Sequence, residues 1–192
     1  MIGLTFCPGK KYHSLYGGTW DRDLRSDLAV IHSFGAKALV TLMEEEELQN
    51  VQVPAELLAS AAKEFGLEWH HLPIRDVSVP STGFEDLWTY SGQRIRSLLA
   101  RGVNVVIHCL GGIGRTGTVA ARLLVEFGKQ PQDAMRTIRK ARPGSVETKD
   151  QEQYVAKCTP LAYAWDVCPP QERALACILG GAIGDALKAA AA

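Results

Sequence analysis

His108-Cys109-Leu110-Gly111-Gly112-Ile113-Gly114-Arg115-Thr116-Gly117 places five residues, three of them glycine, between a cysteine and an arginine. The run Val103–Ile107 before it is apolar and rich in β-branched residues, as in a buried strand, and Thr118–Val125 after it reads as a helix. The stretch is therefore a loop from a strand end to a helix N-terminus. First-turn amides of a helix lack intrahelical acceptors and carry partial positive charge, so such a loop seats an oxyanion. Gly111, Gly112 and Gly114 free the backbone to aim successive N–H groups at one anion. Arg115 adds a planar fork that grips two phosphate oxygens. The expected phosphate-binding set is the backbone of Leu110, Gly111, Gly112, Ile113 and Gly114 together with Arg115. The same positive surroundings favour the nucleophilic thiolate of Cys109. Thr116 is placed to give its hydroxyl proton to that sulfur and make it a better leaving group. A cysteine beneath an anion cradle points to attack on phosphorus. His108, abutting the thiolate, reads as support for the loop and neither acid nor base.

Composition permits this chemistry without demanding it. With 192 residues and 46% hydrophobic content, the chain can bury one sizeable core. Its 21 basic and 21 acidic side chains cancel, so no global field recruits nucleic acid or an anionic membrane. No stretch reads as a bilayer span, and Met1–Phe6 lacks the basic start and long apolar core of a signal peptide, so a cytoplasmic location is expected. Cys7, Cys109, Cys158, Cys168 and Cys177 form an odd set without framework spacing, as in a protein of reduced thiols. His70 and His71 are adjacent on a predicted strand and point to opposite faces, so no metal is expected, nor any organic cofactor.

The remaining pattern predicts an α/β fold, a mostly parallel central sheet flanked by helices on both faces. The stretch Gly18–Leu24 begins a helix, with Leu24, Leu28, Ile31 and Phe34 on its apolar face and Gly35 at its end. Ala38–Leu42 is a short buried strand, and Glu44–Glu47 reads as a solvated acidic face. Pro54 opens another helix, with Leu57, Leu58, Ala61 and Phe65 inward and Gly66 as its stop. Trp69–Arg75 reads as a strand leaving the core, followed by a loop of turn formers through Gly83. After Tyr154 the pattern changes, with a break at Pro169-Pro170 and a helix-like run from Glu172 to Leu187. The division expected is a domain over 1–166, then a linker and an appended helix over 167–192.

The His-Cys, five residues, Arg, Thr loop resembles the signature of the cysteine-dependent protein tyrosine and dual-specificity phosphatases. That resemblance implies a phosphomonoester hydrolase with that family's fold, a phosphocysteine intermediate, and a general acid on a loop about thirty residues upstream. Leu72-Pro73-Ile74-Arg75-Asp76 looks like that loop and puts Asp76 in the acid's role; Asp86, the nearest competitor, reads better as a first-turn helix acid. Arg142–Tyr154 resembles the segment that brings an amide to the cysteinyl phosphate, which makes Gln151 the expected water-orienting residue, with Gln153 second. The N-terminal half, His70-His71 and Gly111-Gly112 together look like the cyclin-dependent-kinase-inhibitor-3-like branch, over residues 15 to 158. The implied substrates are phosphotyrosine and also phosphoserine or phosphothreonine proteins. The alternatives are a phosphatase of lipid, nucleotide or RNA-end phosphates, a non-catalytic phosphoresidue-binding module, and a rhodanese-like sulfurtransferase. The run from Glu172 resembles the opening helix of the ADP-ribosylglycohydrolase family, as if such a domain followed in a longer parent protein.

Overall fold

Five strands form one parallel sheet in the order β5-β4-β6-β1-β7, where β1 is Ile2–Phe6, β4 Ala36–Thr41, β5 Glu68–His71, β6 Asn104–Cys109 and β7 Ala176–Ile178. This is a computed structural model, describing residues 1–13 and 18–161 and the backbone of strand 176–178. Parallel neighbours need crossover connections; four of the described helices lie between the first four strands of the sheet and three follow β6. They are α1 (Leu24–Ser33), α2 (Glu45–Asn50), α3 (Ala55–Glu64), α4 (Thr82–Ala100), α5 (Gly114–Glu126), α6 (Pro131–Ala141) and α7 (Lys149–Lys157). A separate antiparallel pair, β2 (Lys11–His13) and β3 (Thr19–Asp21), stands beside the sheet.

Every residue of β1 and all but the first of β6 are buried, so the central strands are covered on both faces. Leu4, Leu39, Val40, Val106 and Ile107 are completely buried, each contributing on the order of 2 kcal/mol by leaving water. The Asp23 side chain accepts from Ser26 N at 2.8 Å to start α1, and Pro54 precedes α3 as expected.

The structure differs from the sequence expectations at five places. Thr19–Asp21, expected in the opening of a helix, pair with Lys11–His13 as β3, and α1 starts only at Leu24, after the Asp23 cap. Leu57 is 50% exposed, because the buried stripe of α3 runs through Leu58, Ala61 and Ala62 and leaves Leu57 off its edge. Regular pairing of β5 ends at His71, although Leu72 N and Ile74 N still donate to Thr41 O and Leu42 O as the chain departs. Glu45–Glu47 form the first turn of α2, where carboxylates meet the positive end of the helix, and Glu47 turns inward. Ala176–Ile178, expected within a helix, pair in parallel with Ile2–Leu4, because the outer edge of β1 offers unpaired backbone groups that a strand can satisfy. The rest of the expected linker and helix over 167–192 lies outside the described residues.

Candidate active site

Cys109 is the last residue of β6, and Gly114 starts α5, so the connecting loop sits at the carboxyl end of the sheet. The Cys109 thiol is buried, and Gly112 N donates to its Sγ at 3.2 Å. Gly112 has φ +69°, and a Cβ there would lie 2.3 Å from Thr5 O and 2.7 Å from Phe6 N of β1. Only glycine combines that left-handed turn with so close a backbone approach.

Arg115 is 2% exposed and is held from three directions. Glu47 accepts from both terminal nitrogens, at 2.6 Å from Nη1 and 2.8 Å from Nη2. Ile74 O accepts from Nη1 at 2.9 Å, and Asp76 Oδ1 lies 2.8 Å from Nη2. Burial works against the guanidinium charge, but Glu47, Cys109 and Asp76 outweigh it and raise the Arg115 pKa. Asp76 is itself 58% exposed and sits in a tight turn closed by Ser78 N donating to Arg75 O. The next residue, Val77, has φ +59°, a conformation unfavourable to a β-branched side chain and of the kind found at functional loops.

His108 is fully buried, with Nε2 2.8 Å from Thr41 Oγ1, which also accepts from Trp69 Nε1 at 2.8 Å. Burial pushes its pKa down to about 3, the Cys109 backbone working against the shift and Arg115 and His71 with it. The imidazole is therefore neutral at ordinary pH and acts through hydrogen bonds alone. The Thr116 hydroxyl is buried and has no hydrogen-bond partner in this structure. Gln151 is buried at the start of α7, where its Oε1 accepts from Glu147 N at 2.9 Å and its Nε2 donates to Ser78 O at 3.2 Å. It joins the Asp76 loop to α7, and it packs 3.2 Å from where a Cβ on Gly114 would stand. Gln153 and Asp86 are exposed on their helices, and neither has an ion pair or hydrogen bond to these residues. Among the described residues no group of three or more His, Cys, Asp or Glu side chains is arranged to hold a metal ion.

The chain that folds this loop matches a known family over most of its length. The family model for the Swiss Army Knife protein, DSP-PTPase phosphatase domain, matches residues 19–155. The chain belongs to this phosphatase family. Among curated proteins, cyclin-dependent kinase inhibitor 3 of Rattus norvegicus is 29% identical over 158 residues, covering 81% of this chain and 70% of the relative. The Homo sapiens protein of the same name is 28% identical over 163 residues. Among solved structures, kinase associated phosphatase, carrying serine in place of its catalytic site cysteine, is 26% identical with a TM-score of 0.69. It covers 80% of this chain and is itself covered to 83%. Tk-PTP in its active form is 28% identical with a TM-score of 0.58, covering 79% of this chain and 96% of Tk-PTP.

The fold of this DSP-PTPase domain also brings to the loop and its arginine side chains whose contacts sequence reading passed over. Glu47 belonged to an acidic run that looked merely solvated, and its bond to Arg115 spans 68 positions. Lys10 and Arg142 reach the loop from outside, and Thr41 supports His108 from the neighbouring strand. Only the packing of separate elements reveals these partners. Replacing Gly112 by alanine is expected to lower kcat/KM by about 10²-fold, because the clash with β1 moves the loop by an appreciable fraction of an ångström or more. Steady-state hydrolysis of p-nitrophenyl phosphate measures this, and wild-type kinetics would show that the loop tolerates a β-carbon there.

Proposed function

We propose that this phosphatase hydrolyses protein phosphomonoesters in two steps through a cysteinyl phosphate. The observation that carries the reading is that one strand-to-helix loop holds Cys109 Sγ 3.2 Å from the Gly112 amide and ends on Arg115, whose Nη2 lies 2.8 Å from Asp76 Oδ1. In the first step Cys109 Sγ bonds to phosphorus as the ester P–O bond breaks, and Asp76 gives its proton to the leaving oxygen. The amides from Leu110 to Gly114 and the Arg115 guanidinium carry the charge on the non-bridging oxygens. In the second step water attacks phosphorus, Asp76 takes its proton, and the P–S bond breaks with Thr116 donating to the departing sulfur. Gln151 gives one of its two Nε2 protons to Ser78 O, and the other orients that water. His108 stays neutral and steadies the loop.

The substrate class proposed is phosphotyrosine together with phosphoserine or phosphothreonine in proteins. The names of the relatives, cyclin-dependent kinase inhibitor 3 and kinase associated phosphatase, support a phosphorylated protein such as a kinase as the partner. Glu47 and Asp76, both on Arg115, disfavour the additional phosphates of inositol lipids or RNA 5′ ends. A reducing, cytoplasmic setting suits Cys7, Cys109 and Cys158, which are unpaired. Phosphate release from phosphopeptides, a phosphoinositide and a triphosphorylated RNA end tests the reading. The expected result is a kcat/KM for phosphopeptides at least roughly 10-fold above the others, a margin within reach of differential transition-state contacts. Preference for the lipid or the RNA end would overturn the substrate assignment.

A further inference from the structure

The nucleophile loop turns the Gly112 amide onto Cys109 Sγ, and three consecutive carbonyls of the loop meet cations from distant segments. Lys10 Nζ donates to Leu110 O at 3.1 Å. Arg142 donates through Nη2 to Gly111 O at 2.9 Å and through Nε to Gly112 O at 2.7 Å. In a planar trans peptide the N–H lies opposite the C=O, so holding these oxygens fixes the direction of the amides of Gly111, Gly112 and Ile113. One of those peptides displays the linkage directly. Its oxygen, Gly111 O, is on Arg142 and its amide, Gly112 N, is on Cys109 Sγ. We propose that Lys10 and Arg142 are positioning residues of the phosphate site, clamping the outer face of the loop so that its amides stay aimed at the anion.

Neither cation has another evident use for its charge. Arg139, one turn before Arg142, pairs with Glu152, whereas Lys10 and Arg142 have no carboxylate partner among the described residues. Lys10 is only 4% exposed, and burying an ammonium is costly unless something compensates. The compensation is Leu110 O and two aromatic faces, Trp20 with its ring centroid 3.9 Å from Nζ and Phe6 at 4.9 Å. The turn that delivers Lys10 is itself anchored, since Gly9 N donates to the buried carboxylate of Asp27 at 2.9 Å. Burial lowers the Lys10 pKa while the Cys7 and Cys109 thiols oppose the shift, and for Arg142 burial is likewise opposed by Cys109. By reciprocity, both cations favour negative charge at the site.

The proposal rests on the phosphatase reading above, so its test separates binding from turnover. Inorganic phosphate is titrated by calorimetry into the full chain carrying Cys109→Ser, alone and with Lys10→Met or Arg142→Met added. Each added change is expected to weaken phosphate binding by about 10-fold, and the two together by less than the product, because both act on one loop. The amide resonance of Gly112 should lose its phosphate response in Arg142→Met and partly recover it in Arg142→Lys, which keeps one donor. A merely structural role would lower the melting temperature without that selective loss and rescue. Should a methionine variant fail to fold, Lys10→Gln and Arg142→Lys carry the same comparison. Unchanged phosphate affinity in folded variants overturns the proposal. Absence of phosphate binding by the Cys109→Ser chain, with no p-nitrophenyl phosphate turnover by the unmutated one, instead overturns the phosphatase reading and this proposal with it.

Discussion

Replacing Cys109 by serine is expected to lower kcat by on the order of 10⁴–10⁶ while the protein still binds phosphate, as loss of a covalent nucleophile does elsewhere. The change is one atom at a fully packed position. Sulfur and oxygen occupy nearly the same place, so the Gly112 amide, Arg115 and the glycine turn against β1 remain to hold the anion. What disappears is the sulfur nucleophile, because a serine hydroxyl is essentially un-ionised near neutrality and no general base is aimed at this position. His108 cannot serve as one, since burial holds its pKa down to about 3 and its Nε2 is engaged with Thr41. Hydrolysis of p-nitrophenyl phosphate measures the loss, and phosphate titration measures the retained site. Turnover near the wild-type rate would exclude a cysteinyl phosphate. Rapid acid quench of the unmutated enzyme should in turn trap one phosphoryl group on Cys109.

The second large effect is expected at Asp76. Asp76→Ala should reduce kcat on phosphotyrosine peptides by roughly 10²–10⁴, and much less on p-nitrophenyl phosphate, whose leaving group scarcely needs a proton. The dependence on leaving group is the decisive part of the result. Asp76 touches Arg115 at 2.8 Å, so it has two ways to matter, by giving a proton or by holding the guanidinium. The second role is already shared by Glu47 and Ile74 O, which make three bonds to the same group. Losing Asp76 should therefore leave Arg115 in place, and the defect should follow the basicity of the departing oxygen. An equal loss on both substrates would assign Asp76 to positioning and leave the proton donor to be found elsewhere.

The strand, the loop and the helix around Cys109 were legible because they are one continuous segment. Apolar β-branched residues, then glycines, then a helical run specify backbone conformation locally, and the chemistry of the loop follows from that conformation. Asp76 and Gln151 were reached through family resemblance, and they converge for a reason that no local pattern displays. The Gln151 amide reaches Ser78 O, 73 positions away, and ties the Asp76 loop to α7. Glu47 was misjudged because an acidic run at a helix start looks the same whether it faces water or an arginine. The misjudged strand at Ala176–Ile178 has a similar cause, since a short apolar run takes the conformation offered by the edge it meets.

By itself, then, the sequence determined the nucleophile loop, the alternation of strands and helices that makes the sheet parallel, and the identity of the residues able to react. Those properties depend on φ/ψ preference, hydrophobic period and side-chain chemistry, all of which act over a few neighbouring residues. Tertiary structure alone decided which distant charges complete the site: Glu47 and Asp76 on the Arg115 fork, and Lys10 and Arg142 on the outer carbonyls. Such contacts are selected by the packing of whole elements on the sheet, where an ion or a carbonyl taken from water must find its partner wherever the fold supplies one.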